Sequence, residues 1–89
     1  YYNVTEKAYH KKVFEGEFEI TNLTGNIAWM AGKPVVHMHG SFSSQDFGVF
    51  GGHVFSLVVS ATCEIHLRKI LQILNRQKDE ETGLNLLKL

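Results

Sequence analysis

Apolar and polar residues alternate with a period of two over much of this chain. Phe18 and Ile20 alternate with Glu17 and Glu19, the pattern of a half-buried strand. Thr24-Gly25-Asn26 interrupts that pattern and predicts a bulge or tight bend, after which Ile27 to Met30 continues extended. Ala31-Gly32-Lys33-Pro34 reads as a turn, with Pro34 suited to the first position of the next strand, Val35 to Phe42. Ahead of these, Tyr1–Thr5 and Tyr9–Glu15 read as two short strands joined at Glu6-Lys7, and Lys11 and Lys12 charge a sheet edge. Ser43 to Gly48 is a polar connection, and Gly51-Gly52 marks a sharp turn or a close approach of backbone.

From Val54 to Leu67 the residues are almost continuously apolar, a run longer than one strand, so a break is expected near Ser60-Ala61. Beyond it Cys63, Ile65 and Leu67 alternate with Glu64, His66 and Arg68, again a strand pattern. Ile70, Leu71 and Leu74 fit a helical turn or a further strand equally well. Asn75 to Gly83 reads as a charged loop, and Leu84 to Leu89 as a last short strand. The pattern predicts a strand-dominated single sheet or barrel with little helix.

Within that frame, three of the five histidines fall between Gly32 and His53. His37 and His39 are two apart on one predicted strand and therefore share a face, while Val36, Met38 and Phe42 turn to the opposite, core-facing side. His53 opens the next extended run after a connection of hairpin length. Antiparallel pairing of the two runs brings His53 beside His39. Neutral imidazole is a good zinc ligand, and three protein ligands leave a position open for water or a small molecule. The sharp reading of His37, His39 and His53 is thus a divalent-metal site, with zinc the expected ion. The plain reading is a polar sheet face of hydrogen-bonded histidines at a subunit interface. Glu64 is the candidate carboxylate near such a site, as fourth ligand, supporting partner or general base; the alternative is a solvated edge residue. His66 shares its predicted face, and His10 reads as exposed. Gly25 and Asn26 are candidates to line a pocket beside the histidines, although a backbone bend explains Gly25 as well. Trp29 and Phe47 are either ligand platforms or packing residues.

Composition narrows the field. Eighty-nine residues make one domain, residues 1–89, with a modest core. Nine basic and nine acidic side chains cancel, whereas nucleic-acid binders usually carry a basic excess or stripe. Lys11, Lys12, Arg68, Lys69, Arg76 and Lys78 are scattered among acids, so a solvated surface is the default for them. No apolar run approaches the roughly 20 residues of a bilayer-spanning helix, and no basic-then-apolar signal stands at the start. The lone Cys63 sits among apolar neighbours and fits a small buried side chain in a reducing, cytoplasmic setting. There is no Gly-x-Ser-x-Gly elbow, phosphate loop or Rossmann glycine pattern. The chain opens on Tyr1-Tyr2-Asn3 without a methionine, as an expressed fragment, a proteolytic remnant or the C-terminal part of a longer protein would.

Taken in order, Glu17-Phe-Glu-Ile-Thr-Asn-Leu-Thr-Gly-Asn-Ile27, Gly32-Lys-Pro-Val-Val-His-Met-His39, Gly51-Gly-His53, Thr62-Cys-Glu64, Arg76-Gln-Lys-Asp79 and Thr82-Gly-Leu84 resemble the prokaryotic PPC domain (plant and prokaryote conserved domain). The resemblance implies an α/β (α+β) domain built mainly on antiparallel sheet and assembled as a homotrimer, with additional N-terminal strands and helices ahead of Tyr1. It implies a metal site on the His-x-His pair and the Gly-Gly-His histidine, here His37, His39 and His53. Plant members place a basic AT-hook before the domain, and no such segment stands in this chain. Prokaryotic members are often described as DNA-binding. Three functions follow as expectations: a trimeric metal-binding module for small-molecule binding or sensing, a DNA-associated regulatory domain, and a metal-dependent hydrolase or lyase with Glu64 as base.

Overall fold

The two longest alternating segments form the centre of the sheet. In the computed structural model, which describes residues 1–89, strand β3 (Glu19–Met30) runs antiparallel to β4 (Lys33–Ser43), and β4 runs antiparallel to β5 (Val49–His53). Near the C-terminus β6 (Asn75–Lys78) and β7 (Asn85–Lys88) form a hairpin, so the five-stranded order is β5-β4-β3-β6-β7. The β3–β6 contact is parallel, through the single pair Trp29↔Asn75 and the bond from Trp29 N–H to the Leu74 carbonyl at 2.8 Å. A separate two-stranded hairpin, β1 (Tyr2–Asn3) with β2 (Ala8–Tyr9), precedes the sheet. The strand-dominated architecture expected from the pattern and the mainly antiparallel pairing implied by the resemblance are both present, and the chain contains no helix.

The β3–β4 turn is tighter than the four residues that read as a turn. Ala31 and Gly32 alone form it, with φ of 50° and 76°, and Lys33 and Pro34 already belong to β4. Two consecutive positive φ angles match a type I′ hairpin loop, whose twist suits the flanking strands. Alanine is a poor occupant of the left-handed region, at about 1–2 kcal/mol, and asparagine a better one. Ala31→Asn is therefore expected to stabilise the chain by about 1 kcal/mol, read as a higher urea midpoint with unchanged slope. A lowered midpoint would contradict the turn geometry.

Register fixes which side chains share a face. Directly opposed residues project together, so Asn26 with His37, Thr24 with His39, and His39 with His53 lie on one side. Ile27 with Val36 and Phe42 with Phe50 lie on the other. There Phe50 gathers Phe14 at 3.9 Å, Phe18 at 5.1 Å and Phe42 at 5.7 Å between ring centroids. These four rings form an aromatic cluster on that face; Ala28 is the one residue with almost no exposed surface. Val36, expected on the core side, is more than half exposed, at 55%.

Several local expectations are corrected. The register shift lies between Ile20 and Asn22, so the bulge is at Thr21 and not at Gly25. Gly25 sits in regular pairing opposite Met38, and its need is spatial: an added Cβ would stand 2.0 Å from the His37 carbonyl oxygen. Of Tyr9–Glu15 only Tyr9 is in a strand, and Lys11 and Lys12 instead lie over the Phe55 and Phe14 rings at 4.2 and 4.9 Å. Asn75–Lys78, read as loop, is β6. The run from Val54 to Leu74 contains no strand or helix. Its alternation is genuine, but a strand needs a neighbour for its backbone N–H and C=O groups, and this run makes no ladder. Val58 and Leu71 consequently stand 89% and 100% exposed.

Candidate metal centre

His37 and His39 project from β4 two residues apart, and the pair His39↔His53 at the start of the β4–β5 ladder adds the third ring. The centroids are 5.1 Å (His37–His39), 4.9 Å (His37–His53) and 5.3 Å (His39–His53) apart. One ligating nitrogen from each ring can be chosen so that all three lie within 4.8 Å of one another. Tetrahedral zinc with bonds of about 2.0–2.1 Å needs donors roughly 3.3 Å apart, so the 4.8 Å spread is within about 1.5 Å of that spacing.

The local chemistry fits a cation. Nδ1 of His53 is buried and has no hydrogen-bond partner, a costly state for a polar atom that ligation removes. Burial, then the Arg76 charge and then His39, push the His37 imidazole below its ordinary value. Burial, followed by the charges of His37 and His39, does the same to His53. Both rings are thus held neutral near pH 7, the form that ligates metal. The three histidines can hold a divalent ion, which when bound supplies Lewis acidity at an open position.

Those shifts carry a sign for stability. Histidines with folded pKa values below the unfolded value of about 6.5 leave the unfolded chain binding more protons between the two. Stability is then full above the unfolded value and falls as pH drops through it toward the folded one. The metal-free chain is expected to melt at lower temperature near pH 5.5 than near pH 7.5, and His37→Gln to flatten that difference. A melting point that rises on acidification would contradict the assignment.

Around the cluster, residues from distant parts of the chain complete the site. Arg76 of β6 donates from one terminal nitrogen to Asn26 Oδ1 and from the other to the Asn85 carbonyl, both at 2.8 Å. Asn26 is the register partner of His37, so this bond anchors a guanidinium beside the histidines. The β1–β2 hairpin covers the other side: the Tyr9 ring lies 5.0 Å from His53 and 4.9 Å from Phe55. Tyr2 donates its hydroxyl to the Thr82 carbonyl at 2.6 Å, and Lys7 donates to the Glu80 carbonyl at 2.6 Å, tying that hairpin to the β6–β7 turn. Between hairpin and sheet is a cavity of about 460 Å³ that the three histidines line together with Tyr1, Tyr9 and Leu84.

The structure brings the three predicted histidines together, and the sequence misses their surroundings. Arg76 reads as a solvated cation, because no local pattern shows that a parallel contact brings β6 to Asn26. Glu64, placed by its alternation on a strand face with His66, is exposed in the irregular run and is not among the clustered donors. Cys63 is half-buried and unpaired. His10 is exposed and meets Glu6 at 2.6 Å. Trp29 and Phe47 are 45% and 87% exposed and neither lines the cavity.

The fold and site define a class, a twisted, mainly antiparallel sheet whose His-x-His strand pairs with a Gly-Gly-His strand. The chain belongs to the Plants and Prokaryotes Conserved (PCC) domain family, whose model matches residues 2–71. Three solved structures are similar to it. A protein described as "Putative DNA-binding protein" from Ralstonia eutropha JMP134 shares 37% identity at a TM-score of 0.90, over 100% of this chain and 62% of that one. A "putative DNA binding protein" from Bacteroides thetaiotaomicron VPI-5482 shares 30% at 0.93, over 99% and 62%. A metal-containing protein from Archaeoglobus fulgidus shares 31% at 0.78, over 100% and 63%. The chain therefore spans less than two thirds of each of these proteins. Comparison with curated proteins finds no match.

Proposed function

We propose that this chain is the metal-bearing part of a homotrimeric, cytoplasmic PCC-domain protein that binds or senses a small molecule through a divalent ion. Zinc is the proposed ion, with His37, His39 and His53 as its ligands. The observation that carries the reading is the convergence of three imidazoles, all within 5.3 Å of one another, from two paired strands. The metal-containing nature of the Archaeoglobus relative supports it. Elemental analysis of protein purified without a histidine tag is expected to find about one zinc or similar divalent ion per chain. Less than a tenth of an ion after incubation with excess zinc and desalting would overturn the reading.

The descriptions of the Ralstonia and Bacteroides proteins favour a second reading, a DNA-associated regulatory domain. Equal numbers of acidic and basic residues count against a broad phosphate contact. If DNA is the partner, affinity for duplex falls steeply with salt as counterions are released; a gel shift without salt dependence speaks against it. The hydrolase or lyase reading gains no support from Glu64, which stands outside the cluster.

A further inference from the structure

We infer that the ligand of this site is a small organic anion, a carboxylate with an aromatic or apolar body, taken up in the cavity between the histidines and the β1–β2 hairpin. The inference rests on the metal reading and names the class of molecule that the site selects.

Three features of the cavity lead to it. Its volume of about 460 Å³ lies within the range of small-ligand sites. Its charge is one-sided: no aspartate or glutamate lines it, its floor is three histidines, and Arg76, although not on the lining, is held by Asn26, the register partner of His37. A divalent ion held by neutral ligands keeps its full charge, and the guanidinium adds to it. An incoming anion meets only compensation there, whereas a cation meets repulsion. A carboxylate at the floor supplies the negative charge that the lining itself lacks.

The wall sets the rest of the ligand. The Tyr9 ring packs against both His53 and Phe55, at 5.0 and 4.9 Å, and these two rings touch each other at 4.6 Å, so the three form one aromatic surface. Tyr1 and Leu84 add to the apolar lining. Gly51 and Gly52 are also on the lining and present no side chain, and a Cβ on Gly52 would meet nothing within 4 Å, so the mouth stays open there. An apolar body gains burial against this wall while its carboxylate stays at the charged end. Arg76 acts on the anion through its charge: its two terminal nitrogens are engaged by Asn26 and Asn85, and its Nε is buried.

The test uses the cobalt(II)-loaded chain, whose visible spectrum reports exchange at the metal, titrated with benzoate, acetate and benzamide. Benzoate is expected to give a saturable spectral change about tenfold tighter than acetate, and neutral benzamide none. Arg76→Gln should weaken benzoate about tenfold with cobalt content unchanged, and Arg76→Lys should retain most of the affinity. Tyr9→Ala should remove the advantage of benzoate over acetate while acetate still binds. Benzamide binding as tightly as benzoate, or a spectrum indifferent to both anions with cobalt bound, overturns the inference alone. Failure to take up cobalt overturns the metal reading and this inference with it.

Discussion

Gly25→Ala is expected to destabilise the chain by about 3 kcal/mol, the upper end of what overpacking costs. An alanine Cβ there would stand 2.0 Å from the His37 carbonyl oxygen and 2.9 Å from both Cα and Cγ of Met38. The first two of these are backbone, which no rotamer change can move, so β3 and β4 must part at the centre of their ladder. For a chain of this size, total stability is on the order of 4–13 kcal/mol, so one methyl group removes a large part of it. The loss should appear as a lower urea midpoint with little change in slope. Gly32→Ala is the control, since its Cβ would meet nothing within 4 Å and only the φ of 76° opposes it; that costs about 1–2 kcal/mol. Equal effects at the two glycines would mean that Gly25 is not pressed against β4.

The same clash explains why Gly25 is deceptive in the sequence. A glycine flanked by polar residues in a strand reads as a bulge or tight bend, the expectation at Thr24-Gly25-Asn26. The requirement for glycine is real, but its cause is the opposing strand, which period-two alternation does not identify. His37, His39 and His53 were legible for the opposite reason. Two of them are fixed by alternation along one strand, and the third by a hairpin whose length is visible in the chain. Information of that kind is local.

Arg76 and Tyr9 reach the site through tertiary contacts, one by a single parallel pair and one by a hairpin folded over the sheet. Nothing near either residue in sequence encodes that contact. The irregular run from Val54 to Leu74 marks the same boundary from the other side. Its pattern says which residues favour burial and strand, and pairing depends on a partner that the pattern does not name.

His39→Ala carries the largest expected effect on chemistry. Losing the outer-sphere partner of a ligand lowers metal affinity by about 10–100-fold, and losing a ligand itself should exceed that, leaving bound metal near zero after desalting. The fold should survive, because His39 is exposed and its backbone pairing with Thr24 and His53 does not depend on its ring. The metal-free melting point is therefore expected to stay close to the parent value. The added stability from metal, which grows as the logarithm of free ion over Kd, should disappear. His10→Ala removes only an exposed contact with Glu6 and should keep full metal content. Those two variants separate ligation from surface histidine binding: if His39→Ala retains stoichiometric ion, or both lose metal alike, the ion is not held by the strand-paired rings. A fall in metal confined to the β4 and β5 histidines leaves the hairpin register as the cause of the site.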